Sequence, residues 1–353
     1  MHKDPWYREK QAYEKMLDEL KELYGDDFKP HSGERRARHY RPDIPYHIIT
    51  RVFQGRFMLK PSRRLNRIIA GILGRYLDEH KSIKLYAKVV MSNHLHMMLQ
   101  GEPKEIVEFV RDVKREITER CKRLYDKTWT GSLWHDVYLA TALPSHESQL
   151  ACFRYILSHG AKEELVAKPQ DWPGIHSAKQ LLRGSTLKGE WFEGTKYGKK
   201  TDTQSRTKYP KPIRKNNYWR TYEVPLTTIP PWQDLEPQEV RTKVKEMVDE
   251  ITEEARIARN GRKPLGKKRI LNMPVDTRST LPRPPWFEKR KAMVAWPARG
   301  SKEARQTTRA YLDDYWSFQR AFRDAANKLK EGVLDVVFPK GAFRPGLLTP
   351  SLG

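Results

Sequence analysis

The order of apolar patterns in this chain predicts an α+β fold: a ferredoxin-like antiparallel sheet with helices packed on it, then a helical and partly irregular C-terminal extension. Three observations carry the expectation. A β-branched and aromatic run, Tyr46-His-Ile-Ile-Thr-Arg-Val-Phe53, precedes a helical period over 61–80. Two apolar runs, 83–91 and 94–99, flank the turn-prone pair Ser92-Asn93 and read as a hairpin. A second helical period over 103–125 is followed by another extended stretch at 134–142. One strand, a helix, a hairpin and further helices, with 134–142 a strand or an extended arm, describe an antiparallel sheet backed by helices.

Element by element, residues 5–24 read as a charged amphipathic helix, with Trp6, Tyr13, Met16, Leu17 and Leu20 near helical spacing. The basic stretch Glu34-Arg-Arg-Ala-Arg-His-Tyr-Arg41 follows and is broken by Pro42 and Pro45. The 61–80 helix turns Leu65, Ile68, Ile69, Ile72, Leu73, Tyr76 and Leu77 inward, and the 103–125 helix turns in Ile106, Phe109, Val110, Val113, Ile117 and Leu124. Ser145 is placed as the N-cap of a helix over 146–165. Beyond Trp191 the pattern loosens. Basic segments there alternate with Tyr197, Tyr209, Tyr218 and Trp219, and Pro225, Pro230, Pro231 and Trp232 mark a linker. Helices are expected at 236–258 and 302–329, with an Arg- and Pro-rich stretch of no regular structure over 260–300. The ending Val336-Val-Phe-Pro-Lys-Gly-Ala-Phe-Arg-Pro345 reads as a packed terminal motif.

Composition narrows the partners. The 353 residues include 68 Lys and Arg against 44 Asp and Glu, a formal net charge of +24. Such an excess favours a polyanion, and nucleic acid is the usual one. Two cysteines exclude a disulfide framework. No run is apolar enough for a signal peptide or a membrane span, so a cytoplasmic, nucleoid-associated protein without membrane partners is expected.

The chemistry concentrates in Asn93-His-Leu-His96. Alternate residues of a strand share a face, so His94 and His96 point together while Leu95 points away. Two neutral imidazoles side by side suit a metal ion. Further on, Tyr155 and His159 are spaced four apart on the 146–165 helix and therefore share a face. A third imidazole and a phenol can thus approach the first pair. His47 reads as structural or backbone-binding, His146 as a helix-start residue and His176 as a surface residue.

Together these blocks resemble a family. Tyr46-His47 through Arg51, Asn93 to His96, Leu133-Trp134 with Tyr138, Tyr155-Ile156 and Asp171-Trp172-Pro173 are similar in order and spacing to the REP-associated tyrosine transposases. These belong to the HUH (His-hydrophobic-His) single-strand DNA nucleases that use one tyrosine. The resemblance implies that His94 and His96 bind a divalent metal ion, Mg²⁺ or Mn²⁺, and that Tyr155 is the nucleophile. Position 159 is commonly an amide in these relatives. Here it is His159, followed by Gly160, and an imidazole can ligate a cation as an amide oxygen does.

The implied organisation is an N-terminal helical and basic extension over 1–39, a transposase domain over 40–185, a basic aromatic linker over 186–235 and a helical extension over 236–353. The implied activity is metal-dependent cleavage and rejoining of single-stranded DNA at hairpin-flanked sites through a 5′-phosphotyrosine. Two alternatives stay open: a domesticated hairpin-binding protein without cleavage, and a relaxase or replication-initiator nickase. No Gly-x-x-x-x-Gly-Lys-Ser/Thr loop accompanies the latter. Arg51, His135, Lys199, Lys200, Lys211, Arg214 and Lys215 are the candidate DNA contacts, either a monomer or a homodimer being compatible.

Overall fold

The computed structural model describes residues 37–125, 131–135, 137–206, 213–278, 295 and 301–343. The expected helix at 5–24, and the candidates Lys211 and Tyr209, lie outside the described residues. Four strands form the central sheet: β1 (Tyr46–Arg51), β2 (Lys84–Val90), β3 (His94–Gln100) and β4 (Leu139–Ala142). Helices α1 (Arg63–Glu79) and α2 (Pro103–Tyr125) connect them. The spatial order is β2-β3-β1-β4 with every neighbour antiparallel, which is the ferredoxin-like plan.

Pleating divides β3 between two cores. Leu95, Met97 and Leu99 are fully buried against Ile69, Ile72 and Leu73 of α1 and Ile106 and Phe109 of α2. Each such side chain contributes ~1.5–3 kcal/mol by leaving water. Met98 points to the other face, where α3 (His146–Ser158) packs Cys152, Phe153, Ile156 and Leu157. His94 and His96 share that second face.

Helix α3 starts as the sequence implies but ends sooner. Ser145 accepts from the Ser148 backbone N–H, and the Ser148 hydroxyl accepts from Ser145 N–H, a reciprocal cap. The helix stops at Ser158 rather than 165, because Gly160 takes φ +85° and turns the chain. The expected strand at 134–142 is regular only over Leu139–Ala142; Trp134 makes a single bridge to Val52.

The stretch expected to be a linker carries regular structure. After the short helix α4 (Ser177–Arg183), β5 (Leu187–Phe192) and β6 (Trp219–Val224) form a two-stranded antiparallel sheet, with α5 (Gly194–Ser205) between them. This sheet lies directly on α1. A Cβ on Gly71 would collide with the Glu190 backbone, and one on Gly189 with the Gly71 backbone, so only glycines permit the approach.

Farther on, α6 (Pro237–Arg259) and α8 (Lys302–Lys330) match the two predicted helices, and the stretch expected to be irregular contains a short α7 (Lys267–Asn272). Val244, Val248 and Ile251 of α6 join the α3 core, and Trp232 packs on Phe153 with ring centroids 5.6 Å apart. The ending expected to be packed is only half-covered over its described residues 336–343: Phe338 meets Phe322 at 5.3 Å, but Val337 is 89% accessible. Cys121 and Cys152 are both buried free thiols. Among the described residues no helix is long and apolar enough to cross a membrane.

Candidate active site

Strand register assembles the site. Arg51 lies opposite His94, Ile49 opposite His96 and His47 opposite Met98, and opposite residues share a face. His159, just past the end of α3, comes in from above. Ring centroids are 4.9 Å apart for His94–His96, 4.4 Å for His96–His159 and 5.6 Å for His94–His159. One nitrogen from each lies within 4.8 Å of the others, an arrangement consistent with a metal site. Bonds of ~2.1 Å to one ion need nitrogens ~3–3.5 Å apart, so the rings would have to draw together to hold one.

Each imidazole is held by its other nitrogen. His94 Nδ1 is 2.7 Å from Asn93 Oδ1, and His159 Nδ1 is 2.9 Å from the Tyr155 carbonyl. Both oxygens only accept, so Nδ1–H donates and the Nε2 lone pair stays available. His159 thereby also caps an orphan carbonyl at the end of α3. His96 Nδ1 is 2.9 Å from Nε2 of His47, itself buried. When His96 donates in this pair, its Nε2 too faces the cluster.

Burial favours the neutral form of all four rings. It pushes His94 down to about 3, helped by the nearby charges of Arg51 and Lys162, and His47 likewise to about 3. His96 and His159 are held well below the ordinary histidine value, by burial first; next come the adjoining imidazoles for His96 and Lys162 for His159, each of which disfavours a proton there. Unprotonated imidazole is the ligating form, so the cluster is ready for a cation at neutral pH.

Tyr155 borders this cluster on its open side. It is 37% exposed, unlike a core tyrosine, and its ring centroid lies 4.9 Å from His159 and 5.7 Å from His96. Lys162 Nζ stands 3.5 Å from the centre of the phenol ring. Glu163 ties the corner together: Oε2 accepts from Gly160 N–H at 2.6 Å, while Oε1 lies 3.6 Å from Lys162 Nζ and 4.0 Å from His159 Nε2.

The remaining candidates divide. Exposed Arg51 and His135 sit at the rim, where His135 N–H donates to the Arg51 carbonyl and its ring meets Phe53 at 6.2 Å. Lys199, Lys200, Arg214 and Lys215 are exposed but belong to the β5–β6 unit on α1, across the sheet from the histidines. His176 is buried rather than on the surface, because its Nδ1 accepts from Ala178 N–H and caps α4. His47 and Asn93 are the supporting residues; the sequence reads His47 as structural or backbone-binding but not as the partner of His96, and gives Asn93 no such role. For Asn93 the signal is its place beside His94; for His47 it is a histidine on a strand that pairs with the His-x-His strand.

Residues 41–159 match the family described as transposase IS200-like. Over this segment the chain is similar to IS200-like transposases. The segment holds β1 to β4, α1 to α3, all three clustered histidines and Tyr155. Among solved structures, the chain is similar to a REP-associated tyrosine transposase bound to a REP hairpin, at 15% identity and TM-score 0.36 over 43% of this chain and 87% of that one. It is also similar to a protein from Deinococcus radiodurans R1 assigned as a transposase, at 22% identity and TM-score 0.26 over 35% of this chain and 95% of the other. Among curated proteins none matches.

Proposed function

We propose that the IS200-like domain cleaves and rejoins single-stranded DNA, with Tyr155 as nucleophile and hairpin-flanked sites as substrate. The observation that carries the reading is the contact of one partly exposed phenol with His96 and His159, two of three clustered, neutral and ligand-competent imidazoles. A divalent ion held by His94, His96 and His159, Mg²⁺ or Mn²⁺ with imidazole donors favouring the latter, would polarise the scissile phosphate.

The chain's own groups supply the rest. Tyr155 Oη forms a bond to phosphorus as the bond to the 3′ oxygen breaks; the phenol loses its proton and the 3′ oxygen gains one. The products are a 5′-phosphotyrosine and a free 3′-hydroxyl, and the retained phosphodiester allows the 3′-hydroxyl of another strand to reverse the step. A free phenol titrates near pH 10, so ionising one at pH 7 costs ~4 kcal/mol. The Lys162 ammonium over the ring stabilises negative charge as it develops on the attacking oxygen. Arg51 and His135 at the rim, and Lys199, Lys200, Arg214 and Lys215 farther away, are read as contacts to the DNA backbone.

Trapping tests this. Labelled hairpin-bearing single-stranded DNA with Mn²⁺ is expected to give a covalent adduct that peptide mapping places on Tyr155. Tyr155→Phe should abolish the adduct and keep fold and hairpin affinity, whereas Tyr138→Phe should keep much of the cleavage. DNA on another tyrosine would overturn the assignment, and tight binding with no adduct would leave a binding protein without cleavage.

A further inference from the structure

Outside the catalytic face, the densest unexplained chemistry lies where the β5–β6 sheet meets α1 and α2. Two adjoining clefts, of about 640 and 370 Å³, share Arg120, Arg123, Trp191 and Phe192 as lining. Arg64, Arg67, Arg75 and Arg115 complete the cationic walls, and the only acids lining them are Glu116 and Glu190. Arg67 is paired with Glu190 at 2.8 Å, while exposed Arg64 and Arg123 make no ion pair among the described residues.

The floor is built rather than incidental. The guanidinium carbons of Arg75 and Arg120 stand 4.1 and 4.7 Å from the ring centre of buried Trp191. Burial lowers the Arg120 pKa; Glu116, 3.9 Å away, opposes this in part, and Arg123 acts with burial. Like charges gathered this way repel, and an anion lying across them offsets that repulsion. At the end of the smaller cleft Trp219 is 42% exposed, with its ring 5.2 Å from Phe192. An exposed indole beside a phosphate-binding wall suits an unpaired base, because every base has a face to stack.

We infer that this groove is a second, non-catalytic binding site for single-stranded DNA, with Arg64 and Arg123 on phosphates and Trp219 stacked on a base. Helices α1 and α2 cover the Leu95–Met97–Leu99 face of the sheet, so a helical layer ~10 Å thick and the sheet itself separate the groove from His94 and His96. A strand bound here is therefore a different segment from the one at Tyr155. The inference does not rest on cleavage; it needs only binding.

The test is photo-crosslinking of a short single-stranded DNA carrying 5-iododeoxyuridine, mapped by mass spectrometry, together with anisotropy over a salt series. Labelling of Trp219 is expected, and the same sequence as duplex should label it poorly. Arg64→Glu with Arg123→Glu should abolish that labelling, and losing two contacts on a single strand should reduce the salt slope by ~1.4. Lys104→Glu, an exposed control at the far end of α2, should change neither. Crosslinks confined to the surroundings of Tyr155, or an unchanged slope in the double variant, would overturn the groove. Equal labelling by duplex, or a slope change matched by Lys104→Glu, would overturn the stacking and the locality respectively.

Discussion

At the scale of single residues, the site depends on what each histidine does with its second nitrogen. His94 and His159 lean on oxygens that can only accept, whereas His96 leans on another histidine. His47 is therefore a positioning residue whose removal leaves all three candidate ligands in place. His47→Phe keeps the volume and the contact with Tyr155 but not the hydrogen bond. It is expected to weaken Mn²⁺ binding by ~10–100-fold, the usual effect of losing such a partner, as read by calorimetry. His96→Ala should abolish binding. Equal affinity of His47→Phe and the parent would show that His96 needs no such support. The sequence made His94 and His96 legible because strand alternation alone puts them on one face. His47 was not legible in this role, since its partner depends on the register of β1 against β3, and one sequence does not state register.

At the scale of elements, what could be read was what local pattern decides. The limits of α2 follow from its period, and Ser145 announces the start of α3. The end of α3 was misjudged by extending the period through Gly160, although a glycine at that point is itself a stop signal. The β5–β6 sheet was hidden for a different reason. Its strands are short, each carrying one cation and one glutamate, and they are held by their fit to α1 rather than by an alternating apolar face of their own. Gly71 and Gly189 make that fit, and Gly74 meets Glu223 O and Tyr222 Cβ in the same way. Gly71→Ala should thus destabilise the fold by ~1–3 kcal/mol through overpacking, despite the ~1 kcal/mol that alanine offers in a helix. Gly198→Ala on α5, with nothing within 4 Å of the added carbon, is the control and should be neutral or mildly stabilising. Urea titration of both variants decides; a stable Gly71→Ala protein would mean that the two layers can separate without loss.

At the scale of the whole molecule, the extension beyond residue 159 braces helix α3, which carries Tyr155. Helix α6 and Trp232 cover the back of α3, Arg154 of α3 pairs with Glu254 of α6 at 2.8 Å, and Glu147 at the start of α3 accepts from Ser301 at the start of α8. A buried lysine ties the sheet to α4 and β6 in the same spirit. Fully buried Lys88 on β2 donates through Nζ to Gln180 Oε1, and Gln180 Nε2 donates to the Val224 carbonyl. Burial pushes Lys88 down to about 7. Between about pH 7 and the ~10.4 of an unfolded lysine, the unfolded chain therefore holds a proton that the folded one lacks, and stability must rise with pH. The histidines act at the acid end with the same sign. His47 and His94, at about 3 when folded and ~6.5 when unfolded, make stability fall as pH drops below ~6.5. Above ~10 the trend reverses, because buried Tyr86, raised to about 12, keeps a proton that the unfolded chain releases. For metal-free protein, the urea midpoint should climb to ~pH 6.5, level off near 7 and climb again towards ~9.5. Lys88→Met should flatten only the second climb and leave the acid limb intact. An alkaline limb that is flat in the parent would mean that Lys88 keeps its charge inside the fold, with Gln180 and its surroundings solvating an ammonium rather than an amine.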